Sequence, residues 1–497
     1  MRMLPRVIRR GAPWPVVAIG LAVAGCGSAQ TANTTTAAEE AKGPPPPTIH
    51  FVSRPDLRPP PVKILTRAHD TAPGLVFLAP KMKVVQAGPE ILDNNGQVVW
   101  FHPLDTHGVS DFKLQHYRGK PVTTWWRGHA PMGVGSGYYA IYDDRYHQIA
   151  QVRAGHGLTG DIHEFEITPD DKALFTVYHQ LQVDLTPYGG PKDGRIFDGI
   201  VQEVDIPTGR VLYEWHSYPE VGLDESYAPP PKQSAGKKAA PWDYFHVNSI
   251  DVEPNGNFLI SARNTHALYE LSRSAKKVLW RLGGKKSDFK MGTGTNFAWQ
   301  HDARRQRDGT ITVFDNGAVP PVEKFTRILR LRVDTANKRV TLVKSFHHPR
   351  KLLVPFEGNA QALPDGHVFV GWGGVPYFTE FDAKGRVLLD ARFGKLKGRI
   401  TGPNQDADSY RAFRFVWHGH PTDKPRIATL GHKVYVSWNG ATEVRKWQLI
   451  VDGRPGTARA KTGFETSLPL PDGAKRIAVR AVSAGGAALG TSRTITP

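Results

Sequence analysis

The stretch YFHVNSIDVEPNGNFLISAR, Tyr244–Arg263, reads as a strand, a tight turn and a second strand. His246, Asn248, Ile250 and Val252 alternate as one face of an extended chain. Glu253-Pro254-Asn255-Gly256 has the composition of a turn, and Phe258–Ala262 returns to deliver Arg263 at its far end. The phrase recurs. HEFEITPDDKALFTVY, HDARRQRDGTITVFDN and NAQALPDGHVFVGWG repeat the strand, the Gly or Asp turn and the strand.

Between these phrases lie pairs of strands that end in an aromatic residue: PEILDNNGQVVWFHP, IVQEVDIPTGRVLYEWHS, ALYELSRSAKKVLWRLGG, RILRLRVDTANKRVTLVKSFHHP and YFTEFDAKGRVLLDARF. Together the two halves make a four-stranded unit at intervals of about 50 residues, the range of propeller blades. The sequence therefore predicts an all-β chain with about six blades over residues 73–420, one blade closed by strands from both ends of the region. A series of β-sandwiches would not repeat one motif with the same turns. Residues 423–497 lack the blade phrase. KVYVSWNGATEVRKWQLIVDGRP and the short strands after it predict a small fibronectin type III-like β-sandwich, with Trp438 and Trp447 as core aromatics and no assigned chemistry.

Before residue 63 the composition changes twice. MRMLPRVIRR is basic, WPVVAIGLAVA is apolar, and VAGC ends in Cys26, the one cysteine among 497 residues. That arrangement resembles a bacterial lipobox. Residues 1–25 are then a signal peptide, and Cys26 is the expected lipidation site on the extracytoplasmic side of the cell membrane. The apolar run is too short for a comfortable span, and a disulfide-free chain leaves that thiol no pairing role. Residues 26–62, rich in Ser, Thr, Ala and then Pro, predict a disordered tether. Residues 63–422 are assigned to the propeller. Formal charge is +18, with Arg2, Arg6, Arg9 and Arg10 preceding Cys26. No arginine-rich helix or basic-aromatic module accompanies it, which argues against nucleic acid.

Three of the recurring phrases open on histidine: His163, His246 and His301. Inner strands of a propeller converge on one channel mouth, so the three rings are predicted to meet there, with Asn248 and Arg263 beside them. A histidine trio fits a metal with an open position, or a neutral imidazole nucleophile flanked by oxyanion donors. Asn and Arg favour the second, because both donate to anionic oxygens and Arg does so as a fork. The other reading of the chain is a non-catalytic scaffold or ligand-binding propeller, or a metal-dependent lyase or hydrolase using the three histidines. His179, His216, His266, His347, His348 and His418 read as structural, His179 and His266 being nearest the mouth. Trp125 and Trp126 read as blade core, and Asp315 and Asn316 as a turn that could orient channel residues.

DYFHVNSIDVEPNGNFLISAR, HEFEITPDDKALFTVYH and FAWQHDARRQRDGTITVFDNG together resemble the arylsulfotransferase family of bacterial six-bladed propellers over roughly residues 60–420. The resemblance implies transfer of a sulfuryl group from an aryl sulfate donor to a phenolic acceptor with no nucleotide donor; no cofactor is assigned, and the sequence leaves metal binding open. It implies that His301, from the W-Q-H phrase, is the transient sulfuryl carrier. His246, Asn248 and Arg263 become oxyanion ligands, and His163 a further histidine of the site. Better-known members carry a disulfide and dimerise; this chain has no cysteine beyond Cys26, and its sequence leaves the oligomeric state open.

Overall fold

The computed structural model describes residues 45–131, 133–232, 238–397 and 406–497. The expected signal peptide and Cys26 lie outside the described residues. Among those described, the strands up to residue 415 pair into sheets of four, eight, four, five and five, and the eight-stranded sheet is two four-stranded units joined at a single Gly137–Gly160 pair. Blade 1 joins Leu75–Leu78, Glu90–Leu92 and Val98–Phe101 to Ala412–Phe415, a strand from the far end of the region. Blades 2 to 5 are continuous in sequence, with inner strands Val109–Tyr117, Gly160–Ile167, Val247–Val252 and His301–Arg305. Blade 6 begins at Asn359–Ala362 and takes an extra outer strand, Val62–Thr66, against Val387–Phe393. Each inner strand packs on the next, and Asn359–Ala362 packs on Ala412–Phe415, so the ring closes. This is the predicted propeller, closed by strands from both ends.

Period-2 alternation makes the ring, because every blade is buried on both faces. In blade 4, Ile260 joins Val201, Trp215 and Ile250 on the side of blade 3. Its neighbour Leu259 joins Ile311, Val313 and Leu329 on the side of blade 5. The hairpin turn is set by one left-handed residue. Gly256, at φ +83°, closes the loop as its amide donates to the Glu253 carbonyl at 2.8 Å. In blade 3 the same slot holds Asp171 at φ +62°, a residue type that tolerates this region.

Two expectations are corrected. First, the tether does not extend to residue 62. Leu57 is buried, the Ile49 amide bonds the Pro59 carbonyl, and the Val52 and Ser53 amides both donate to the Glu465 carboxylate, at 3.2 and 2.6 Å. Composition misses this because the segment is stabilised by surface it borrows from elsewhere, including Phe464, whose ring lies 4.4 Å from that of Phe51. Second, His246 and Asn248 do not share a strand face by simple alternation. His246 sits at φ +57°, outside the strand, and the pairing register slips between Val247 and Ser249.

Residues 426–491 form two further sheets of three and four strands around Val434, Val436, Trp447, Leu468 and Val479. Trp447 is buried in that core, whereas Trp438 lies at its rim and donates to Asp423. These sheets are fastened to blades 1 and 2. Asn439 exchanges two hydrogen bonds with the Phe101 backbone, and Tyr146 donates to the Gly440 carbonyl at 2.9 Å.

Candidate active site

The starts of the inner strands converge, and they bring His163, His246 and His301 to one mouth. The His163 and His246 rings lie 4.8 Å apart, and those of His246 and His301 lie 6.4 Å apart. Tyr410, entering the closing strand of blade 1, completes the group at 5.6 Å from His163 and 6.4 Å from His301. Tyr178 flanks His163 and His246. Burial holds both phenols well above the usual tyrosine range.

The three histidines differ in what holds Nδ1. His163 Nδ1 donates to Asp161 Oδ2 at 2.5 Å, and His246 Nδ1 bonds Asp243 Oδ2. His301 instead meets a neutral amide, Asn316 Oδ1, at 2.7 Å. The Asn316 amide nitrogen donates to the carbonyls of Val354 and Glu357, at 3.2 and 3.0 Å. That fixes which end of the amide faces the ring. Nδ1 of His301 therefore carries the proton, and Nε2 carries the lone pair, which accepts the Glu357 amide at 3.3 Å. Burial first, then the charge of Arg263, pushes His301 well below the ordinary histidine value. It is neutral. His246 is also lowered by burial, though Asp243 opposes the shift. Burial would raise Asp161, but the His163 ring and the Gly135 and His163 amides outweigh it and hold the carboxylate low.

Arg263 returns from the second strand of the opening hairpin, and its amide bonds the His246 carbonyl at 2.8 Å. Its guanidinium lies 4.8 Å over the Trp299 ring and donates to Asn264 Oδ1. Asn248 is fully buried, and its amide donates to the Gln300 carbonyl of the next blade, adjoining His301, at 2.8 Å. Trp125 and Trp126 are blade core. His266 lies against Trp299 and stacks on Tyr227, while His179 is exposed.

Beneath the histidines the channel is closed by charge. Arg411, fully buried, bonds Asp111 and Glu164 at 2.9 Å and the Asn248 carbonyl at 3.1 Å. Lys113 and Arg304 bind the other sides of Glu164. A cavity of about 640 Å³ opens beyond this layer, at the other mouth, and none of the five predicted residues lines it. Among the described residues, no three His, Cys, Asp or Glu side chains are grouped to hold a metal ion.

The family model described as Arylsulfotransferase (ASST) matches residues 113–394, more than half of the chain. The chain belongs to the arylsulfotransferase family. No curated protein matches it. Among solved structures it is similar to a Bacteroides caccae protein of unknown function, at 13% identity and TM-score 0.41, over 69% of this chain and 98% of that one. It is also similar to Staphylococcus aureus virginiamycin B lyase, at 9% identity and TM-score 0.32, over 76% and 96%. Likenesses this distant say nothing of activity.

Sequence reasoning missed Asp161, Asp243, Tyr178, Tyr410 and Arg411. The first two carried a signal, since each carboxylate stands two or three residues before its histidine in GDIHEF and DYFH. Tyr410-Arg411 carried none, because blade 1 takes its inner strand from the far end of the region.

Proposed function

We propose that this arylsulfotransferase-family chain moves a sulfuryl group from an aryl sulfate to a phenolic acceptor through a sulfohistidine on His301, without a nucleotide donor. The observation that carries this reading is the neutral His301 ring, with Nδ1–H fixed on Asn316 and the lone pair on Nε2, beside the Arg263 charge. Nε2 attacks sulfur, the N–S bond forms, and the S–O bond to the aryl group breaks. The phenolate leaves, taking a proton from a flanking histidine when it is a poor leaving group. An acceptor phenol then loses its proton to that histidine, its oxygen bonds sulfur, and the N–S bond breaks to restore the lone pair.

The partners of the rings divide these roles. Asp161 and Asp243 support positive charge on His163 and His246, which suits proton transfer. A carboxylate on His301 would also stabilise the sulfo-ring cation and slow its discharge. The Asn316 amide holds the ring in place without doing so. Arg263 complements the anionic sulfuryl oxygens, whose charge is spread in a loose transition state.

The test is purified protein with 4-nitrophenyl sulfate and a second phenol. Nitrophenolate release, a sulfated acceptor and a mass increase of one sulfuryl group on His301 are expected. A folded protein that shows none of these is a scaffold, and the proposal fails. Arg263→Lys keeps the charge but loses the fork and the stacking on Trp299, and is expected to slow nitrophenolate release by about 10²-fold. The acid limb of the nitrophenolate burst should lie below the ordinary histidine value of 6.5, because His301 must be deprotonated and burial lowers it. A limb at or above that value would assign the limiting ionisation to another group. Anchorage through Cys26 is proposed from the sequence; palmitate labelling lost in Cys26→Ser is the expected result.

A further inference from the structure

His301 Nε2, the atom with the lone pair, is met by the backbone amide of Glu357 at 3.3 Å. Glu357 stands at φ +63°, a left-handed conformation unusual for a side chain of its size. Gly358 follows at φ +104°, where a Cβ would come within 2.4 Å of the Phe314 ring. Its amide bonds the Tyr410 carbonyl at 3.0 Å. The carbonyl of the peptide that faces Nε2, from Phe356, accepts the Gly374 amide at 3.1 Å, so the turn is fixed on both sides of that peptide.

The Glu357 carboxylate is held in turn. Lys81 Nζ donates to Glu357 Oε1 at 2.7 Å and lies 3.4 Å from Asp408 Oδ1. Lys81 and Asp408 also exchange backbone hydrogen bonds, at 2.9 and 3.2 Å. Lys81 belongs to blade 1, Asp408 leads into its closing strand, and Glu357 leads into blade 6, so the cluster stands where the ring closes. All three side chains are largely buried. Burial would lower Lys81, but the two carboxylates outweigh it and keep it charged. Burial raises Asp408 to about 7 in spite of Lys81.

We infer that Lys81 is a positioning residue which, through Glu357, holds the Glu357 amide as a switching donor at the nucleophile. The inference rests on the reading of His301 as sulfuryl carrier. In the resting site the amide caps the Nε2 lone pair. When that lone pair becomes the N–S bond, the amide loses its acceptor, and the nearest new ones are the anionic oxygens on the same sulfur. Its hydrogen bond is then stronger in the transition state than in the ground state, the condition for lowering a barrier. Without Lys81, Glu357 Oε1 loses its donor, Asp408 takes up a proton in place of the cation, and the turn that aims the amide loses its clamp.

The experiment compares Lys81→Met and Lys81→Arg with the unaltered full chain. In Lys81→Met the nitrophenolate burst from 4-nitrophenyl sulfate should slow by about 10²-fold, with KM changed by less than about threefold. Lys81→Arg should recover most of the rate. A burst in folded Lys81→Met within threefold of the unaltered protein overturns the inference. So does equal loss in both variants. A second measurement does not depend on turnover. In protein carrying 15N-histidine, the Nε2 resonance of His301, assigned by its loss in His301→Asn, should move toward that of an unbonded lone pair in Lys81→Met. An unmoved resonance overturns the inference even where no sulfotransfer is seen. A moved resonance with no burst in the unaltered protein keeps the clamp and removes the sulfotransferase reading.

Discussion

His301→Asn is expected to abolish nitrophenolate release, with a loss of about 10⁴-fold or more, and to remove the sulfuryl adduct altogether. Losing a nucleophile differs in kind from losing an oxyanion donor, because no residual covalent route remains and only binding and electrostatics act. The substitution is chosen so that the fold survives. Asn fills part of the ring's volume and keeps a polar group near Asn316 Oδ1, where His301 Nδ1 now donates at 2.7 Å. His163→Asn and His246→Asn serve as controls. They keep the Nε2 nucleophile, so they should still form the adduct, and should lose more rate with phenols that leave poorly than with nitrophenol. Adduct formation in folded His301→Asn, on another histidine, would move the carrier role to that residue. Unchanged release would end the covalent reading.

How much of this was legible differs between fold and site. The blades were readable because each depends on local information: an alternation such as Leu259–Ile260 and a turn such as Glu253–Gly256. The closing strand was anticipated as a principle but not placed at Ala412–Phe415, since nothing local marks that strand as the inner partner of Leu75–Leu78. His163, His246 and His301 could be singled out because repeats convert sequence position into spatial position. The groups that distinguish them are legible only in part: Asn316 as a turn residue that could orient the channel, Glu357 not at all. Asn316 reaches His301 from the end of the adjacent strand, and Glu357 from another blade, so their effect depends on tertiary geometry. For Asn248, the bulge between Val247 and Ser249 and the hydrogen bond to the Gln300 carbonyl of the next blade could not be read from alternation either. The Pro-rich segment before residue 62 packs for the same reason, through partners that composition cannot show.

The channel floor gives the second large effect, on stability rather than rate. Arg411→Met should destabilise the chain by about 3–5 kcal/mol at neutral pH, read by urea unfolding. Arg411 is fully buried, and its guanidinium joins Asp111, Glu164 and the Asn248 carbonyl, with Asp302 3.6 Å away. A buried ion pair adds little beyond a well-packed apolar pair, but removing one partner leaves the others charged and uncompensated. Here three carboxylates lose their shared cation, while Lys113 remains on Asp111 and Glu164, and Arg304 on Asp302 and Glu164. Acid should narrow the deficit. Burial would raise Glu164, but Arg304, Arg411 and Lys113 hold it well below its usual 4.5. A depressed folded pKa contributes stability above the unfolded value and loses it as pH falls through the folded one. Unaltered protein should therefore lose this contribution below about pH 4.5, whereas Arg411→Met has less of it to lose, so the two unfolding curves approach each other on acidification. A deficit that stays constant from pH 7 to pH 3, or a variant as stable as the unaltered protein, would show that packing around the methylene chain of Arg411, rather than its charge, maintains the floor beneath the histidines.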